Sequence, residues 1–181
     1  MSIAPAITPA APPAPARVDP HPRLAPVPDP AGARQGATEP FGTLPQEWDR
    51  LDAVTVGGHE IDLVLIGPNG LFAVHVDPDL RPAAVRPGVG LVRAGARRPE
   101  PVKRALAGAA ALRREVALMP GAPFPYPVLV TATPGEDGHR LGRLLAVRPG
   151  RLAEVLWSHV SRPLLRSQRV AIRRALEEPG G

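Results

Sequence analysis

The stretch EIDLVLIGPNGLFAVHVD, residues 60–77, reads as two strands joined by a turn. Two apolar runs, Glu60–Ile66 and Leu71–Asp77, flank Gly67-Pro68-Asn69-Gly70. Pro presets φ, and Gly and Asn tolerate positive φ, so the four residues form a tight turn and the flanks form a hairpin. If Ile66 pairs with Leu71, Asp62 faces His75 and Glu60 faces Asp77. Residues directly opposite across a hairpin point to one face, with Cβ atoms ~4.5–5.5 Å apart. The register therefore predicts Glu60, Asp62, His75 and Asp77 on one face, and Ile61, Leu63 and Leu65 on the other with Phe72, Val74 and Val76.

A buried carboxylate needs a partner. Asp62 and His75 are then either a hydrogen-bonded polar pair at the hairpin end or part of a cation site. Carboxylates suit Mg²⁺ or Mn²⁺, and an imidazole shifts the preference toward Mn²⁺ or Zn²⁺.

Outside the hairpin, Asp52–Val56 reads as a strand ended by Gly57-Gly58, and Gly90–Arg93 as a short strand. Glu100–Leu118 reads as a helix with Pro101 in its first turn and an apolar stripe of Leu106, Ala109, Ala110, Leu112, Val116 and Ala117. Tyr126–Ala132 and Leu144–Arg148 read as strands, Arg151–Val160 and Pro163–Glu177 as helices. This order predicts an α/β domain with a mixed sheet flanked by helices.

Residues 1–44 hold eleven of the 26 prolines and are expected to be a disordered, partly polyproline-II tail. The domain is expected over 45–178. PPAP at 12–15 matches PxxP, a pattern such a composition produces by chance. The chain of 181 residues is 44% hydrophobic but only 3% aromatic, so its core rests on Leu, Val, Ala and Ile. With no cysteine, disulfides, thiolate zinc sites and cysteine nucleophiles are excluded. The longest apolar runs fall short of the ~20 residues a spanning helix needs, and no signal peptide is evident. A cytoplasmic location is expected.

The formal net charge is +5. Residues 96–181 carry fifteen basic against seven acidic side chains, which suits a polyanionic partner. Arg97, Arg98, Lys103 and Arg104 are the candidate phosphate contacts, with Arg113 and Arg114 extending the zone. Trp48 is expected as a core lid. Trp157 is expected to pack and His159 to face solvent. His59 is expected to be exposed, and His21 and His139 to be inert in tail and loop.

EIDLVLIGPNGLFAVHVD resembles the core of the nuclease-related domain, NERD, whose pattern runs roughly IDHLVVGPNGVFVIETK. The match is close at Ile61-Asp62, Gly67-Pro68-Asn69-Gly70 and Leu71-Phe72, and weaker segments extend it over about 45–177: LPQEWDRLDAV, Pro101-Val102, YPVLVTA and VRPGRLAEVL. The resemblance implies a PD-(D/E)xK nuclease-like core. In that fold an Asp and a Glu hold a divalent metal, and a Lys two residues after the Glu helps activate water for phosphodiester hydrolysis. The family Asp falls on Asp62, the Glu on His75 and the Lys on Asp77, so two of three positions depart. The family Gln after Pro-Val falls near Arg104. Asp62, His75 and Asp77 are the candidate catalytic and metal-binding set, with Mg²⁺ or Mn²⁺ as the ion if activity survives. The resemblance implies a degenerate, nuclease-like module that binds nucleic acid or a protein partner. The alternatives are an active divergent metal-dependent nuclease and a non-enzymatic interaction protein acting through the proline-rich tail.

Overall fold

The structure is a computed structural model that describes residues 44, 46–79, 81–86, 88–119, 121–132, 138–159 and 163–178. The expectations for the tail, including PPAP and His21, fall outside the described residues, Leu44 excepted.

Three antiparallel strands come first: β1 Asp49–Val56, β2 His59–Gly67 and β3 Gly70–Val76. A small sheet follows, with β4 Ala84–Arg86, β5 Gly90–Arg93 and β6 Ala96–Arg97. Helix α1, Pro99–Val116, crosses back to β7 Tyr126–Val130, which runs parallel to β3. Strands β8 His139–Leu141 and β9 Leu144–Val147 complete the main sheet, and helices α2 Leu152–Ser158 and α3 Arg166–Glu177 end the chain. The main sheet runs β1-β2-β3-β7-β9-β8, with β7 and β9 parallel. The architecture is mixed α/β, with a mixed sheet flanked by helices. The short strands β4, β6 and β8 were not anticipated; each has two or three residues, too few for a period to register.

The expected register holds. Ile66 pairs with Leu71 and Leu63 with Val74, and Gly67 and Gly70 close the turn. The turn is then fastened from outside. Asn69 donates from Nδ2 to the carbonyls of Leu156 and His159 at the end of α2, and the Leu164 N–H donates to the Pro68 carbonyl at 2.9 Å.

One face of the sheet (Leu63, Leu65, Phe72, Val74, Val128 and Val130) packs with Trp48 and with Leu152 and Leu156 of α2. Trp48 is the expected lid: it is buried, stacks on Phe72 at 5.5 Å between centroids, and lies over Gly67, where an added Cβ would come within 2.7 Å of its ring. The other face (Val64, Ile66, Leu71 and Ala73) packs on α1 and on Ile172 and Leu176 of α3. The small sheet covers the remainder, with Ala83 and Leu91 against Ala105, Leu129, Leu144 and Ala146.

Three packing expectations need correction. The buried stripe of α1 is Ala105, Gly108, Ala109, Ala111, Leu112 and Val116, while Leu106, Ala110 and Ala117 are exposed. Small residues let the helix approach the sheet so closely that a Cβ on Gly108 would lie 3.2 Å from Ile61. Trp157 and His159 exchange their expected roles. Helix α2 buries Leu152, Val155 and Leu156, so Trp157 falls on its outer face and is 55% exposed, meeting only the Trp48 ring at 6.5 Å between centroids among the described aromatic rings. His159 leaves the helix in an extended conformation and packs its ring on Tyr126 at 4.1 Å. His139 lies in β8 opposite Ala146 rather than in a loop, and His59 is exposed as expected.

Candidate functional site

Asp62 sits where β2 loses both neighbours. On the β1 side the ladder skips from Asp52–Leu63 to Val54–Ile61, because Ala53 between them has φ 52°. A non-glycine residue in the left-handed region is strained by roughly 1–2 kcal/mol. On the β3 side the ladder stops at Leu63–Val74. Strict alternation fails here too: Ile61 packs on the α1 side with Val64 and Ile66, not with Leu63 and Leu65 as expected.

The carboxylate of Asp62 repairs the broken edge. Its Oδ2 accepts the Val76 N–H at 2.8 Å, a donor left over where β3 diverges from β2. The same oxygen lies 2.7 Å from His75 Nδ1, which must carry the proton because an ionised carboxylate only accepts. The expected pairing of Asp62 with His75 is thus present, half-buried at 20% and 14% side-chain exposure. The other ring nitrogen, Nε2, is buried and finds no partner among the described residues.

Asp77 does not join this pair in a ligand cluster. It lies just past β3, 2% exposed, and binds a side chain that the sequence reading did not single out. Arg93, itself 3% exposed, donates from its guanidinium to Asp77 Oδ2 at 2.8 Å. Thr131, just past β7, donates its hydroxyl to the same oxygen at 3.0 Å. Arg93 also donates to the carbonyls of Arg81 and Asp79, and its second terminal nitrogen lies 3.0 Å from the Asp79 carboxylate. The Arg81 guanidinium holds the Asp79 carboxyl well below the usual carboxylate range, against the opposing effect of its desolvation, with Arg93 adding to the lowering. Five polar groups thus tie the end of β3 to the end of β7 and to the small sheet. No local spacing announces Arg93, because its partners lie 12 to 38 residues away.

Glu60, the fourth expected member, is exposed and lies opposite Thr55 of β1. Among the described residues no group of three or more His, Asp or Glu side chains is placed to hold a metal ion. A protein-held Mg²⁺ or Mn²⁺ needs several oxygen or nitrogen donors converging on one point. Oδ2 of Asp62 already takes two donors, and Asp77 is neutralised by Arg93, so the candidate set as placed does not fit such an ion.

The candidate phosphate contacts are exposed around the start of α1. Arg97 donates from Nε to the Val89 carbonyl, and Lys103 pairs with Glu100 at 2.9 Å on the helix surface. Arg98 and Arg104 make no ion pair among the described residues. His159 has its pKa lowered, first by burial and then by the nearby Arg140 charge, and both favour the neutral ring. No helix among the described residues is long and apolar enough to cross a membrane.

Compared with protein-family models, with curated proteins and with solved structures, the chain matches none.

Proposed function

We propose that the chain is a nuclease-related module of NERD type, with a PD-(D/E)xK-like core, in which metal-dependent cleavage has been lost and nucleic-acid binding retained. One observation carries the reading: Asp77, at the position where the resemblance calls for a lysine, forms a buried pair with Arg93. A position that a nuclease-like site keeps for a free cation beside the phosphate has become part of a structural clamp. Support also comes from Asp62, which keeps the matching aspartate but uses Oδ2 to cap the Val76 N–H. Arg98 and Arg104 supply the sequence-independent attraction to phosphate that such binding needs.

The alternative, an active divergent metal-dependent nuclease, draws on the unpartnered Nε2 of His75. One assay decides between them. The full chain is incubated with single- and double-stranded DNA and RNA in Mg²⁺ or Mn²⁺, beside Asp62→Ala. The proposal expects salt-sensitive binding with no cleavage. Cleavage that disappears in Asp62→Ala establishes the alternative. Binding through the proline-rich tail concerns residues outside those described; removal of residues 1–44 tests it.

A further inference from the structure

We infer that a cleft between the small sheet and the β9–α2 turn is a phosphate-binding site, with Arg86, Arg148 and Arg151 as its cationic groups. The cleft encloses about 820 Å³. Ala84 and Arg86 of β4 and Val92 of β5 form one wall, and Ala132 with the Arg148–Arg151 turn forms the other. Its lining holds three arginines and no acidic side chain among the described residues.

The state of those arginines is the decisive observation. The Nε atoms of Arg148 and Arg151 are buried and make no hydrogen bond among the described residues. A buried donor without an acceptor is unfavourable, and native structures leave few of them without a reason. Arg86 and Arg148 also have no carboxylate partner among the described residues, whereas Arg151 pairs through a terminal nitrogen with Glu154 at 2.8 Å and leaves its Nε–H unused. Arg93, a few residues from Arg86, shows the contrast: it is buried and all its contacts are satisfied from within the fold. Arginines needed only for packing would be expected to look like Arg93. Arg148 and Arg151 instead each leave a buried Nε–H for a ligand that brings its own acceptors.

Location agrees. Strands β3, β7 and β9 run parallel, and the cleft opens beyond the carboxyl ends of β7 and β9, where open α/β sheets bind ligands. Register adds a fourth cation. Ala84, Val92 and Arg97 stand opposite one another across β4, β5 and β6, so Arg97 shares the face of the small sheet that walls the cleft. Planar guanidinium forks match phosphate oxygens two at a time. The ligand chemistry is a phosphate group, either on a nucleic-acid backbone or on a free phosphorylated small molecule. The site is separate from the hairpin mouth and goes beyond the nucleic-acid reading, which can fail without it.

The test uses the full chain and two probes, sodium pyrophosphate and a fluorescently labelled oligodeoxynucleotide. The Arg148 and Arg151 Nε–H resonances are followed by NMR, and affinity is measured for wild type and the Arg86→Gln, Arg148→Gln double variant at several salt concentrations. The site predicts saturable movement of both resonances and a loss of about tenfold or more in affinity in the double variant. It also predicts a salt slope for the oligonucleotide that is shallower by about one per contacting arginine removed. A response to the oligonucleotide, alone or with pyrophosphate, identifies the nucleic-acid backbone as a source of the phosphate. A response to pyrophosphate alone keeps the site with a free phosphorylated molecule and overturns the nucleic-acid reading. Oligonucleotide binding with unmoved resonances and unchanged affinity in the double variant overturns the site and leaves that reading intact. If neither probe binds, both are overturned. Should the double variant fail to fold, Arg148→Lys keeps the charge and removes the Nε–H: a several-fold loss in pyrophosphate affinity supports the site, and unchanged affinity overturns it.

Discussion

Two carboxylates near the open end of the central hairpin meet opposite fates. Asp77 is sealed from solvent, bound by Arg93 and Thr131, and joins three elements. Asp62 is half-buried, caps a stray backbone N–H, and holds a histidine whose outer nitrogen is unpartnered among the described residues. The first is committed to the fold. The second leaves a ring nitrogen without a partner among the described residues, at an irregular edge beside a strained residue. The difference shows that polar residues in an apolar hairpin are sorted by what the neighbouring elements supply, not by their place in the strand.

Substitutions sharpen that contrast. The largest effect belongs to Asp77→Ala, which leaves Arg93 buried without its counter-charge. A loss of about 3–5 kcal/mol in unfolding free energy is expected from denaturant titration. A loss below about 1 kcal/mol would remove the clamp from the account. Next is Gly67→Ala, which drives a methyl into the Trp48 ring. Overpacking of this kind predicts a loss of about 1–3 kcal/mol and altered tryptophan fluorescence. Asp62→Ala follows: it strands the Val76 N–H at a partly solvated edge, so about 1–2 kcal/mol is expected, smaller than for Asp77→Ala. If the two aspartates rank the other way, the contrast between them is broken.

The smallest effect is a pH dependence. Burial and Arg140 lower the His159 pKa below its ordinary 6.5, so the unfolded chain binds this proton more readily than the folded one. Its contribution is therefore present above about 6.5 and lost as the pH falls through the lower folded value. His159→Phe is expected to flatten stability against pH below that point. An unchanged slope would mean that the ring is not held neutral.

Much of the architecture was legible before any coordinates. The turn chemistry of Gly67-Pro68-Asn69-Gly70 sets the register, and the register alone puts Asp62 opposite His75. What escaped was long-range or too short to show a period. Arg93 finds Asp77 across a separate sheet, and nothing in its local context, GVGLVRAG at 88–95, could announce it; β4, β6 and β8 are too brief to alternate visibly. Ile61 escaped because Ala53 breaks the ladder with a backbone conformation that its side chain does not advertise. His159 escaped because the helix ends two residues sooner than expected, which lets the extended residue turn its ring onto Tyr126, and Trp157 escaped because Leu152, Val155 and Leu156 already fill the buried face of the helix. Arg86, Arg148 and Arg151 come together only once the small sheet folds over the ends of the parallel strands.

Isothermal titration of Mn²⁺ into the full chain, beside Asp62→Ala, probes the hairpin pair itself. If the pair of Asp62 and His75 is a structural remnant, the two titrations coincide and show no stoichiometric binding. A saturable heat in the wild type that vanishes in the variant would contradict the account and restore the hairpin mouth as a metal centre.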